Sequence, residues 1–155
     1  MQRTHFLELR IPPPVVAVAV GLLMWLVATR TAPVPLPRGL RVALALALAA
    51  IGVGLAGAGV ATFRRARTTI SPLTPDATSA LVRTGVYRMT RNPMYLGMLL
   101  CLSAWAVYLS NALSLLLAGV FVLYMNRFQI APEERALTAI FGEAYDTYRR
   151  EVRRW

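Results

Sequence analysis

Arg83-Thr84-Gly85-Val86-Tyr87-Arg88-Met89-Thr90-Arg91-Asn92-Pro93-Met94-Tyr95-Leu96-Gly97 sets three arginines, two glycines, two tyrosines and a proline against the start of a long apolar run. Before this stretch, apolar segments alternate with short polar breaks. Beyond it, residues 92–126 pass without a single charge, a run of 35. A polar knot held between apolar segments is where a membrane protein keeps its chemistry.

Working back from the knot, residues 42–63 form an uncharged run of 22, stopped by Arg64, Arg65 and Arg67. Residues 11–29 form another of 19, opened by Pro12, Pro13 and Pro14, where a helix tolerates missing N–H donors. At about 1.5 Å per residue, each run spans the roughly 30 Å hydrocarbon core of a bilayer. The first run is long and lacks a small-residue cleavage site after it, so it reads as a retained helix rather than a signal peptide. Working forward, 35 uncharged residues exceed one ordinary span. Tyr108-Leu-Ser110-Asn111-Ala-Leu-Ser114 carries turn-forming residues, which predicts two helices closing as a hairpin around Ser110–Asn111.

The expected fold is all-α: a polytopic membrane helical bundle in a single domain. Its four transmembrane helices fall at about 11–30, 41–63, 93–109 and 112–130. A cytoplasmic connection over 64–92 and a cytoplasmic helical tail over 131–155 complete it. With the N-terminus inside, fourteen arginines lie on the inner side and three (Arg30, Arg38 and Arg41) on the outer, in accord with the positive-inside rule. Both termini and the polar connection are then cytoplasmic, so the two polar clusters can meet.

Composition agrees. The chain has 155 residues, 57% of them hydrophobic, too apolar for an ordinary soluble domain. All 17 basic residues are arginine and the net charge is +10. Arginine-only, Ala/Leu/Val-rich usage suggests a GC-rich bacterial genome, and with it the bacterial inner membrane. The arginines flank apolar runs instead of forming a stripe interleaved with aromatics, so a nucleic-acid partner is not expected. His5 and Cys101 have no companions at ligand spacing, so no metal is expected either.

Each further motif has a structural reading beside a functional one. Gly52-Val-Gly54-Leu-Ala-Gly57 matches a dinucleotide-binding pattern literally. It lies inside an apolar run, however, without the strand–helix context that pattern needs. Close helix packing at four-residue spacing (Gly52 with Ala56, Gly54 with Ala58) is the favoured account. Asn92-Pro93 reads as an N-cap and first turn. Ala131-Pro132-Glu133-Glu134 reads as a helix start with acids near the positive end of its dipole. Yet two adjacent carboxylates below an apolar helix, in a strongly basic chain, also suit a cationic ligand. Tyr145 and Tyr148 share a helical face in a surface segment anchored by Arg and Trp.

Taken in order, Gly85-Val-Tyr87-Arg88, Arg91-Asn92-Pro93-Met94-Tyr95, Glu133-Glu134 and Phe141-Gly142-Glu-Ala-Tyr145-Asp-Thr-Tyr148 resemble the integral-membrane methyltransferases of the isoprenylcysteine carboxyl and phospholipid N-methyltransferase type. The likeness covers roughly residues 80–155, and the Gly52/Gly54 pair extends it one helix upstream. What the resemblance implies is S-adenosylmethionine-dependent methyl transfer at the cytoplasmic face, to a lipid or small lipophilic acceptor (amine, thiol or carboxylate). It implies cofactor contacts at Gly52, Gly54, Tyr87, Asn92, Pro93, Tyr95, Glu133, Glu134, Tyr145 and Tyr148. Catalytic roles fall to Arg91 and Glu134. The carboxyl methyltransferases usually carry His where Asn92 stands, so an amide donor replaces an imidazole and the acceptor shifts away from prenylcysteine. The competing reading is a non-catalytic membrane scaffold. Its Arg-rich loop and tail would bind anionic headgroups or a partner protein, with Glu133 and Glu134 as mere helix-start acids.

Overall fold

The computed structural model describes residue 6 and residues 8–66 and 80–155. His5 and most of the polar connection, with Arg67, Pro72, Pro75 and Asp76, lie outside the described residues. Within them there are six α-helices and no strand. Helix α1 spans Pro13–Ala28, α2 Arg38–Arg65, α3 Pro93–Leu109, α4 Ala112–Tyr124, α5 Ala131–Phe141 and α6 Glu143–Glu151.

Apolar composition makes these helices, and their flanking residues set the ends. Pro13 occupies the first turn of α1, where no N–H is needed. At its far end the hydroxyls of Thr29 and Thr31 donate to Leu26 O and Val27 O at 2.7 and 2.8 Å. Ser110 ends α3 in the left-handed conformation (φ 54°), and Asn111 then caps α4 by accepting from Ser114 N at 2.9 Å. The hairpin therefore closes at Ser110–Asn111. Asn92 precedes Pro93 as expected, but its side chain makes no capping bond.

The expected break at residue 131 is absent. Residues Met125–Ile130 form a π-helical turn that joins α4 to α5, and Ala112–Phe141 runs on as one helix of 30 residues. Pro132 sits inside it. A proline ring clashes with the carbonyl four residues back and supplies no N–H, so a straight α-helix would break here. The extra residue in the π turn makes room and rotates the helical segment beyond it by about 100°. Glu133 and Glu134 are thereby carried inward, away from the lipid-facing side of Leu116 and Leu123, instead of opening a new helix.

By length and composition, Arg38–Arg65 and Ala112–Phe141 can cross a membrane; Pro13–Ala28 and Pro93–Leu109 are apolar but shorter. The outer faces expose large apolar side chains, among them Leu22, Trp25, Leu46, Val53, Leu116 and Leu123. Water would disfavour such a surface and lipid would not.

Helices α2 and α3 meet backbone to backbone. A Cβ built on Gly97 would lie 2.6 Å from Gly52 O, and one on Gly52 would lie 2.7 Å from Gly97 O. The stripe in contact is Gly52, Ala56 and Gly59 against Gly97, Met94 and Pro93. A Cβ on Gly54 or Gly57 would meet nothing within 4 Å. Helix α1 is tied in by Trp105 Nε1, which donates to Gly21 O, and by Ser114 Oγ, which donates to Met24 O, both at 3.0 Å. Val16, Met24, Leu102, Phe121 and Met125 form the core between α1, α3 and α4.

Candidate functional site

The site is assembled at the end of the bundle where the stretch 83–97 enters α3. A short 3₁₀ turn, Gly85–Arg88, starts at a glycine with φ 59°. A side chain there would be strained and would press to 3.0 Å on Thr62 Oγ1. The turn sets Tyr87 edge-on to Phe63 of α2, with ring centroids 5.2 Å apart. Tyr148 of α6 donates to Tyr87 O at 2.7 Å, and Arg83 Nη2 reaches Ala144 O at 2.8 Å. The C-terminal helices are thus fastened to the turn.

After α6 the chain folds back along residues 90–92. Arg91 N donates to Arg153 O at 2.9 Å. Thr90 Oγ1 and Asn92 Nδ2 both donate to Arg154 O, at 3.0 and 2.9 Å. Trp155 Nε1 closes the return on Asn126 Oδ1 at 3.0 Å. The amide of Asn92 is therefore engaged by backbone.

This return delivers Arg154 to Glu134. Arg154 grips the carboxylate with two donors, Nε to Oε1 at 3.1 Å and Nη2 to Oε2 at 2.5 Å. Arg91 Nη2 takes Oε1 from the other side at 3.0 Å. Glu134 and the Arg91 side chain lie largely out of water and need each other, while Arg154 reaches them from a partly exposed position. Glu133 differs sharply. It is half-buried, and Tyr95 Oη and Gln129 Nε2 donate to its Oε1 at 2.7 and 3.1 Å. Among the described residues no basic group pairs with it.

A cavity of about 340 Å³ opens on these groups. Its polar wall is Tyr87, Arg91, Asn92, Tyr95, Glu133, Glu134, Tyr145 and Tyr148; Val60, Phe63, Met94, Met98, Leu137 and Pro13 supply apolar wall. Two buried polar atoms, Tyr87 Oη and Arg91 Nε, have no hydrogen-bond partner among the described residues. Burial pushes the phenols of Tyr87 and Tyr145 up, and Tyr148 up to about 12 against the lowering pull of Arg91 and Arg83. These three tyrosines hold their protons at neutral pH and act as donors, not bases.

Of the residues singled out from sequence, Pro93 is buried beside Gly59 and does not line the cavity. Gly52 and Gly54 stand apart from it, one in the helix contact and one facing outward. Three participants escaped sequence reasoning: Gln129, Arg154 and Trp155. Gln129 left a signal, an amide four residues before Glu133, at a spacing that puts both on one helical face.

A second, larger groove of about 970 Å³ lies between α1 and α2 on the floor of α3. It is lined by Gly21, Leu22, Trp25, Val53, Gly57 and Leu102 among others. Val60 and Met98 belong to both cavities, so the groove adjoins the polar site.

Residues 40–144 match the family model for phospholipid methyltransferases, which is more than half of the chain. The chain belongs to that family, and the site described above sits in a membrane methyltransferase fold. An uncharacterized protein of Haemophilus influenzae is 48% identical over 62 residues, covering 40% of this chain and 98% of that protein. Protein-S-isoprenylcysteine O-methyltransferase of Schizosaccharomyces pombe is 32% identical over 72 residues. That match covers 46% of this chain and only 30% of the yeast protein. No solved structure matches the chain significantly. Helix α1 and the return that carries Arg154 fall outside the residues matched by the family model.

Proposed function

We propose that this protein is an S-adenosylmethionine-dependent methyltransferase, with the site at the cytoplasmic face and a lipid or small lipophilic molecule as methyl acceptor. The observation that carries the reading is the unequal pair Glu133–Glu134. Glu134 is neutralised by two arginines, whereas Glu133 offers a carboxylate to the cavity with only neutral donors around it. A ligand with a cationic group toward Glu133 and a carboxylate toward Arg91 would complete both halves. The ammonium, sulfonium and carboxylate of S-adenosylmethionine have that chemistry. The tyrosines beside them supply aromatic faces for a cation or a purine.

When bound, the cofactor supplies a methyl group already activated on sulfur. The chain's own residues have less to do: hold the donor in line with the acceptor and exclude water. With the methyl group supplied in that form, the acceptor would need only a free lone pair directed at it. The protonated tyrosines do not serve as bases, so the acceptor reacts as a thiolate, a carboxylate or a neutral amine. An acceptor with an apolar chain would lie in the groove between α1 and α2, its reactive end at Val60 and Met98. Four membrane crossings with both termini inside would keep the site on the arginine-rich side, in contact with soluble cofactor. The scaffold alternative treats Glu133 and Glu134 as mere helix-start acids. The burial of Glu134 in mid-helix speaks against it.

The test is calorimetry of purified protein in detergent with S-adenosylmethionine, where absence of binding sinks the reading. Incubating membranes with methyl-labelled cofactor then shows whether label enters the lipid fraction. The groove makes its own prediction. A Cβ at Gly57 meets nothing within 4 Å, so Gly57→Leu projects into the groove without disturbing helix contacts. Label in the lipid fraction should fall about tenfold or more, the scale of a hydrophobic pocket losing several methylene contacts, with cofactor affinity unchanged. Equal labelling by the variant would rule out the groove as the acceptor's path.

A further inference from the structure

The turn at Met125–Ile130 leaves the helix with a mechanical problem at Pro132. The bond from position 132 back to Phe128 O does not exist, because proline carries no N–H. An N-terminal segment lies across this point. Leu9 N donates to Phe128 O at 3.0 Å. To do so Leu9 adopts φ 55°, a conformation that residues other than glycine rarely take. Glu8, beside it, reaches both sides of the proline: Oε1 meets Arg127 Nη1 at 2.7 Å and Oε2 meets Arg135 Nη2 at 2.5 Å. The Glu8 side chain is 7% exposed, while its arginine partners are 51% and 43% exposed. A few residues further on, Ile11 packs on the core and Pro13 lines the polar cavity.

We propose that Glu8 is a positioning residue whose carboxylate splints the helix across Pro132, holding Arg127 to Arg135 and so fixing where Glu133 and Glu134 stand in the cavity. The geometry is that of a brace. Arg127 lies within the π turn and Arg135 lies beyond the proline, so one buried carboxylate clamps the segment whose rotation decides which way both acids face. Helical bonding cannot do this at residue 132, and the N-terminal segment does it from outside. Glu8 lies outside residues 40–144, which the family model matches, while Arg127 and Arg135 lie inside them. Its effect on cofactor rests on the methyltransferase reading; its effect on the position of Glu133 does not.

The experiment places 3-fluorotyrosine at position 95, where the phenol donates to Glu133, and records its ¹⁹F resonance in detergent without ligand. In Glu8→Gln the resonance should move or split, and Glu8→Asp should return it toward the wild-type position. Arg127→Gln, which removes one exposed arm, should move it the same way by less, and it serves if Glu8→Gln does not fold. An unmoved resonance in these neutral variants overturns the splint. Calorimetry with S-adenosylhomocysteine is the second readout. Affinity should weaken about tenfold in Glu8→Gln and recover in Glu8→Asp, within the range of coupling between neighbouring groups. Unchanged affinity in a folded Glu8→Gln protein also overturns the splint. If wild-type protein does not bind S-adenosylhomocysteine, the methyltransferase reading falls, and the fluorine signal alone decides the splint.

Discussion

Exchanging Glu134 for glutamine is expected to lower methyl transfer at least about 100-fold while the protein still inserts in the membrane. Glutamine keeps the size of the side chain but removes the charge that Arg91 and Arg154 share. It also turns an amide N–H₂ toward one of the two guanidinium groups. The Arg91 side chain is only 9% exposed, so its charge would be left uncompensated out of water. Breaking a buried pair in this way costs about 3 kcal/mol or more, whereas Arg154, at 37% exposed, recovers part of its share from solvent. Function would suffer further because Arg154 belongs to the backbone return beside Asn92, and Arg91 is the group proposed to take a ligand carboxylate. Methyl incorporation and the amount of membrane-inserted protein, measured together, decide the matter. Activity near the wild-type level would remove Glu134 from the site.

Gly97→Ala is expected to be the most damaging change outside the site. Its new methyl group would lie 2.6 Å from Gly52 O, 2.8 Å from Ala56 Cβ and 3.0 Å from Ala56 N. None of these is the end of a flexible side chain, so α2 and α3 must move apart. Overpacking of this kind costs about 1–3 kcal/mol, and separation also forfeits the contacts of Pro93 and Met94 with Gly59. The thermal midpoint in detergent should drop by several degrees. Gly54→Ala is the control: its side chain meets nothing, and alanine is the better helix former. If both variants melt alike, the close crossing is not what holds the two helices.

These two residues also show what was legible in the sequence. The helical class and the Ser110–Asn111 hairpin came from local patterns, charge-free runs and turn chemistry. Which glycines of the α2 stripe face inward did not, because a run apolar on all sides carries no phase. Gly52, Ala56 and Gly59 meet α3, while a Cβ on Gly54 or Gly57 meets nothing within 4 Å. Pro132 with two acids after it is an ordinary helix-start signature, and a proline accommodated by a π turn looks the same on paper. Glu133, Glu134, Arg91 and the tyrosines were reached through motif order, and the structure does bring them to one cavity. Arg154 was out of reach because backbone pairing across more than 60 residues delivers it, and residue spacing does not record that pairing.

The backbone contact between Gly52 and Gly97 has an evolutionary corollary. It locks α2 and α3, with the turn and Arg91 attached, into a fixed wall on one side of the apolar groove. The opposite wall is α1, which joins the bundle through side-chain contacts and two bonds to helix carbonyls, and which lies outside the residues common to the family. Under the proposed function, chemistry and acceptor selection would be housed in separable pieces. Exchanging that one helix would then change what is methylated and leave the methyl-transfer core as it is.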